Sequence, residues 1–305
     1  MKHEEKNANP LLCDPLTGIC ELPENGEPGG AESYKADKQI KILYFTDPIC
    51  SSCWGIEPQL RKLKLEYGNQ IEIEYHMGGL LPDWSYNSGG ISKPSDVAHH
   101  WDEVSAYYDM PIDGDVWLEN PLDSSYPPSI AFKSAQLQDK TKADLLMREL
   151  REMVFLKKIN IAKTANLLLA AELIGLNSDQ LQEDMEGRGR DLFEEDLQLA
   201  RQLGVRGFPT MFFLNDKGER ELVYGFRPYP EYEQAILKVS PAALKTAYPT
   251  DWKSLFKAYG SLTAREFSEL SGISRAESEQ VLDQLTVQKE LEKIATKNGA
   301  LWIRI

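Results

Sequence analysis

Residues 39–58 read QIKILYFTDPICSSCWGIEP. The first half is a short apolar run rich in strand formers, and it predicts a buried β-strand ending near Asp47–Pro48. Two cysteines follow, Cys50 and Cys53, spaced as Cys-x-x-Cys. Beyond them Leu60, Leu63, Leu65 and Tyr67 predict a helix ending at Gly68, with Pro58 marking a kink or the end of a first turn. Ile71, Ile73 and Tyr75 then alternate, which predicts a second strand. The unit is β-α-β with the cysteines at the strand-to-helix junction.

That junction has a chemical use. Sulfurs at this spacing on a helix start lie one turn apart and can close a small disulfide ring. Free N–H groups and the helix dipole stabilise a thiolate there. The reading expects Cys50 to be the exposed, attacking thiol, with a pKa below the ~8.5 of a free cysteine. Cys53 would then resolve the mixed disulfide. Two other readings stand beside this one: half of a zinc site, or inert packing. The remaining cysteines, Cys13 and Cys20, have six residues between them, looser than the roughly two to four of a zinc knuckle. They read as a disulfide, an electron relay to Cys50 and Cys53, an oxidation sensor, or two unrelated thiols.

Working outward, residues 1–38 form an irregular arm rich in Pro, Gly, Asn and Glu. Residues 39–94 hold the β-α-β unit. Residues 95–203 have helical composition, with five or six helices broken at MPIDGD, SSYPPS, KKIN, LNSD and MEGRG. Residues 204–242 begin with GVRGFPT, then carry PTMFFLN and ELVYGF joined by the turn Asn215-Asp216-Lys217-Gly218, a β-hairpin. PEYEQAILKV closes this part as a helix. Pro209, after Gly-Phe at the mouth of a strand, reads as a cis-proline turn or as a trans proline opening an edge strand. The dithiol and the hairpin-helix ending favour cis, which would set the Phe208 backbone beside the sulfurs to pair with an extended substrate. Residues 250–305 read as helix, helix, turn at Gly272, helix and terminal hairpin, the layout of a winged helix.

Composition narrows the function. The 305 residues carry 34 Lys and Arg against 48 Asp and Glu, a net charge of −14. Such acidity opposes non-specific nucleic-acid binding and attachment to anionic membranes. No apolar run approaches the ~20 residues of a membrane helix, and no apolar leader is visible, so a cytoplasmic location is expected. Four cysteines are too few for a structural disulfide framework. The winged unit, residues 251–305, holds eight basic and eight acidic residues. Its would-be recognition helix sets Arg275 against Glu277, Glu279 and Asp283. Contact with a protein, or docking within the chain, fits better than reading a DNA groove.

Taken in order, the β-α(Cys-x-x-Cys)-β unit, helical insertion, cis-proline, hairpin and helix resemble the DsbA-like branch of the thioredoxin superfamily. Asp47-Pro48-Ile49-Cys50-Ser51-Ser52-Cys53-Trp54-Gly55 with Glu57-Pro58 is more specific. It resembles cytoplasmic DsbA-like proteins, including dithiol-disulfide isomerases of the FrnE type. It is also similar to SpxH (YjbH) adaptors, which present the regulator Spx to the ClpXP protease. The resemblance covers about residues 39–240, and the C-terminal tail shares the adaptors' general layout. The N-terminal LCDPLTGIC belongs to neither pattern.

The resemblance implies an α/β, thioredoxin-like fold and a thiol–disulfide oxidoreductase acting on protein or peptide thiols and disulfides. The alternative it implies is an adaptor that binds a protein for a ClpXP-type protease, with the dithiol as redox switch. Cys50 takes the attacking role, Cys53 the resolving role and Pro209 the cis-proline role. Phe208 narrows the substrate groove, and Trp54 shields the dithiol, contacts substrate or simply packs. Ser51-Ser52 leaves the direction of electron flow open. No metal or organic cofactor is expected, since the sulfurs carry the chemistry.

Four weaker candidates complete the reading. Asp47 influences the thiols or only makes the turn. Leu80, Trp84 and Tyr86, after Met77-Gly78-Gly79, give a substrate apolar contact or fill the core. His99-His100 reads as a solvated helix face rather than a metal site, and His76 as an ordinary strand residue.

Overall fold

The computed structural model describes residues 39–85 and 93–305. Strand β1 (Ile40–Thr46) lies at the centre of a four-stranded sheet. It runs parallel to β2 (Ile71–Met77) and antiparallel to β3 (Thr210–Asn215), which pairs with the edge strand β4 (Arg220–Tyr224). Ile40, Ile42 and Tyr44 share one face, as period-two alternation requires, and are buried with Leu60, Leu63 and Tyr67. Phe45 points the other way and packs with Phe212 and Ala200. Both faces of the sheet are covered, the arrangement expected around a parallel pair. The protein has an α/β, thioredoxin-like fold with a helical insertion and a winged-helix-like C-terminal unit.

The helix after the cysteines is two helices. α1 (Ser51–Gly55) stops at Ile56, and α2 (Glu57–Tyr67) starts again with Pro58 in its first turn, where a missing N–H costs nothing.

The insertion holds seven helices among the described residues, one or two more than predicted: α3 (Pro94–Tyr108), α4 (Val116–Glu119), α5 (Tyr126–Gln138), α6 (Lys140–Phe155), α7 (Thr164–Leu173), α8 (Ser178–Glu186) and α9 (Arg188–Gln202). The break that sequence reading missed is at Asp139. Its backbone is extended, and its carboxylate accepts from the Thr141 and Lys142 N–H groups as the N-cap of α6. α10 (Tyr229–Val239) then packs against α2, β3 and β4.

The last unit comprises α11 (Trp252–Ala258), β5 (Ser261–Thr263), α12 (Ala264–Ser271), α13 (Arg275–Val287), β6 (Leu291–Thr296) and β7 (Gly299–Arg304). Its sheet runs β5-β7-β6, so the wing gains a short strand that the sequence did not predict. Gly272 adopts φ 79° to end α12, a left-handed turn that glycine makes without Cβ strain. The unit has its own core around Phe256, Leu262, Phe267, Leu282 and Trp302.

Of the two expectations for this unit, docking within the chain is what the structure displays. Glu266, fully buried, accepts both Nη atoms of Arg148 at 2.7 and 3.1 Å and lies 3.2 Å from Arg61 Nε. Arg61 Nη1 donates to the Ser261 carbonyl at 2.7 Å. Lys62 meets Glu269 at 3.1 Å. No helix among the described residues is long and apolar enough to cross a membrane.

Candidate redox site at the Cys50–Cys53 helix start

β1 leads directly into the site. Asp47, fully buried, organises the turn: its carboxylate accepts from Ile49 N (3.1 Å), Leu80 N (2.8 Å) and Ser125 Oγ (2.9 Å). One side chain thus ties the dithiol turn to the segment after β2 and to the start of α5. Burial pushes its pKa up to about 6 despite those three donors.

Cys50 is the N-cap of α1, and its Sγ accepts from the Cys53 N–H at 3.2 Å. Both thiols are free. The expected exposure of Cys50 is not met: it is 5% exposed and Cys53 0%. α3 of the insertion packs against this helix start. Tyr108 shares a 2.5 Å hydrogen bond with Ser52 Oγ, and its ring lies so close to Gly55 that a Cβ there would sit 2.6 Å from Tyr108 Cγ. Tyr107 and Phe226 extend this aromatic surface, with ring centroids 5.0–5.8 Å apart.

The expected lowering of the Cys50 pKa is corrected too. Burial, with the neighbouring Cys53, raises it. For Cys53 burial acts upward as well, but the hydrogen bond with Cys50, the Arg151 guanidinium and the Thr46 hydroxyl outweigh it and bring it down. One cation, the Arg151 guanidinium, acts downward on both sulfurs.

Arg151, on α6, is that cation, and sequence reading missed it. It is fully buried, ion-paired with Glu57, and donates to Thr46 Oγ1 at 2.7 Å. Its signal was present: Met147, Arg151 and Phe155 fall on one buried stripe of α6, and a charge on an apolar stripe calls for a partner.

Trp54 is fully buried. Its Nε1 donates to the Pro111 carbonyl at 3.0 Å, its ring stacks on Phe155, and Arg148 lies 4.5 Å above it. Of the roles expected for it, packing is the one these contacts describe.

Phe208–Pro209 is a cis peptide. The register pairs Phe45 with Thr210, so Pro209 lies at the end of β1 that leads to Cys50. The Phe208 ring rests on Gly78, where a Cβ would come within 1.9 Å of it. Leu80 is exposed, whereas Trp84 is held by its Nε1–Leu122 carbonyl bond and packs on Trp117. Tyr86, Cys13 and Cys20 lie outside the described residues.

His76 does more than fill a strand. Its Nδ1 lies 2.7 Å from Asp196 Oδ1, while Asp196 Oδ2 accepts from Met77 N and Lys133 Nζ, pinning β2 to α9 and α5. His99 and His100 are exposed on α3, with His99 3.2 Å from Glu103. Among the described residues no three His, Cys, Asp or Glu side chains cluster as metal ligands.

A thioredoxin family model matches residues 43–234. The cytosolic disulfide reductase DsbM of Pseudomonas aeruginosa superposes with a TM-score of 0.52 at 19% identity, over 66% of this chain and 100% of its own, which shows a shared fold. The ClpXP adapter protein SpxH of Halalkalibacterium halodurans is 32% identical over 99% of both chains. The chain belongs to the SpxH family. The SpxH of Bacillus subtilis is 27% identical, covering 87% of this chain and 89% of that relative. These relatives extend across the winged unit as well as the dithiol body.

Proposed function

We propose that the protein is a cytoplasmic adaptor that binds a protein regulator for a ClpXP-type protease, with the Cys50/Cys53 dithiol as a redox-responsive element. One observation carries this reading: the SpxH likeness spans 99% of the chain, whereas the likeness to the solved disulfide reductase stops at 66%. An enzyme confined to the thioredoxin body would have no use for a winged unit docked through a buried glutamate. The burial of Cys50 also suits a thiol that responds slowly to its surroundings better than one that turns over. The test is proteolysis of purified Spx by purified ClpXP with and without the full chain. Severalfold faster degradation is expected; an unchanged rate, with no complex formed, would refute the adaptor reading.

A second reading, a protein dithiol–disulfide oxidoreductase, is favoured by a specific feature. Cys50 caps α1 while Pro209 sits at the adjoining end of β1, so an extended peptide paired along Phe208 would present a disulfide to the dithiol. In that case Cys50 Sγ attacks, one substrate sulfur leaves as thiolate, and Cys53 displaces the other. A Cys53→Ser variant would then trap mixed disulfides; their absence on incubation with an oxidised protein substrate counts against turnover. Cys13 and Cys20 are proposed as accessory thiols, to be tested by site-resolved trapping.

A further inference from the structure

The strongest unassigned feature is the cation under the dithiol. Arg151 is fully buried, comes from the helical insertion, and reaches across to β1 and α2. Buried guanidinium groups are costly unless every donor is used. Arg151 uses one arm on Glu57 and the other on Thr46 Oγ1, yet its buried Nε has no hydrogen-bond partner.

Thr46 is the link to sulfur. Its hydroxyl accepts from Arg151 and has one proton to give. The Tyr44 hydroxyl, 3.2 Å away, is one acceptor for it; the Cys53 sulfur, whose ionisation Thr46 and Arg151 both favour, is the other. A thiolate is the better acceptor because a charged partner strengthens the bond. The chain of groups therefore runs guanidinium, hydroxyl, sulfur.

We propose that Arg151 is the positioning residue of the dithiol, acting through Thr46 to hold one thiolate on the Cys50/Cys53 pair in the reduced protein. The other titratable groups facing the sulfurs are Tyr44 on β1, Asp47 in the turn, Glu57 on α2, Tyr108 on α3 and Tyr232 on α10. All are acids or phenols, and none can supply the positive charge. Glu57 opposes the effect by drawing on the same guanidinium. The inference concerns the dithiol alone and holds for adaptor and oxidoreductase alike. It deepens the redox part of the proposed function and does not need a partner to be tested.

The experiment is a pH titration of thiolate ultraviolet absorbance on the full chain carrying Cys13→Ser and Cys20→Ser, so that only Cys50 and Cys53 respond. Arg151→Met is expected to cut the thiolate fraction at neutral pH about tenfold or more, since an opposite charge this close shifts a pKa by roughly 1–3 units. Arg151→Lys should restore most of it. Glu57→Gln should move the titration the other way, to lower pH. A folded Arg151→Met protein whose titration overlays the parent would overturn the proposal. Should Arg151→Met not fold, Glu57→Gln decides alone: an unchanged or upward-moved midpoint overturns it. Failure to accelerate proteolysis would refute the adaptor reading and leave this titration untouched.

Discussion

Helices α2 and α6 build two buried charge clusters side by side, and the clusters differ in what completes them. At the winged unit, Arg61 and Arg148 converge on Glu266, and the capping box of α12 shares that carboxylate through Thr263 N. The acceptor there is a carboxylate that two cations hold ionised. At the dithiol, Arg151 is one turn along α6 from Arg148 and takes Glu57 and Thr46, leaving the last role to a sulfur that ionises. Glu57 joins the two, with Arg61 Nε 3.7 Å away. One cluster fixes a docked unit; the other can be titrated. The same chemistry serves for anchoring or for response, according to whether the final partner has a labile proton.

Breaking the anchoring cluster should have the largest effect. Glu266→Ala would leave two buried guanidiniums facing each other, a loss of about 3–5 kcal/mol. Thermal unfolding should show it, with proteolytic cleavage between α10 and α11 where the winged unit comes away. The Cys50/Cys53 titration should stay nearly in place, because Arg151 keeps both partners. A titration that moved as far as in Arg151→Met would mean that the two clusters act as one.

Acid acts with opposite sign on the buried carboxylates of the dithiol turn and of the winged-unit cluster. Asp47 has its folded pKa raised to about 6, so the folded state bears the cost of its buried charge above that pH. The cost fades as pH falls through about 6 and is gone below the unfolded value near 4, a gain on the order of 2–3 kcal/mol. Glu266 behaves oppositely. Burial would raise its pKa, but Arg148 and Arg61 outweigh that and hold it below its ordinary value. Its stabilisation is present above the unfolded pKa and is lost only as pH falls through the lowered folded one. Chemical denaturation at pH 7 and pH 5 should therefore give a difference that Asp47→Asn reduces and that Glu266→Gln leaves in place.

The Tyr108–Ser52 bond beside Cys50 gives the smallest effect. Ser52→Ala removes the Tyr108 hydrogen bond, worth roughly 1 kcal/mol. Alkylation of Cys50 should quicken severalfold with little change in stability. An unchanged rate would show that the Tyr108 ring, rather than its hydroxyl bond, closes the site.

Local grammar carried much of this molecule. β1, β2 and the Asn215–Gly218 hairpin were legible from alternation and turn residues, and α10 and the winged unit from periodicity and Gly272. What escaped was set at a distance. Arg151 meets Thr46 across 105 positions, and Tyr108 meets Ser52 across 56. Neither pairing leaves a mark on the motif around Cys50, so both the cation and the burial of that thiol were invisible there. β5 has three residues, too few for a pattern, and Asp139 ends a helix through its backbone dihedrals within a stretch of good helix formers.

Binding of purified Spx to the Cys50→Ser/Cys53→Ser protein, measured by calorimetry beside the parent, tests the central reading most directly. The double variant is expected to bind within a fewfold of the reduced parent, since the docking body needs no sulfur. Loss of binding on removal of the thiols, with disulfide turnover by the parent, would contradict it.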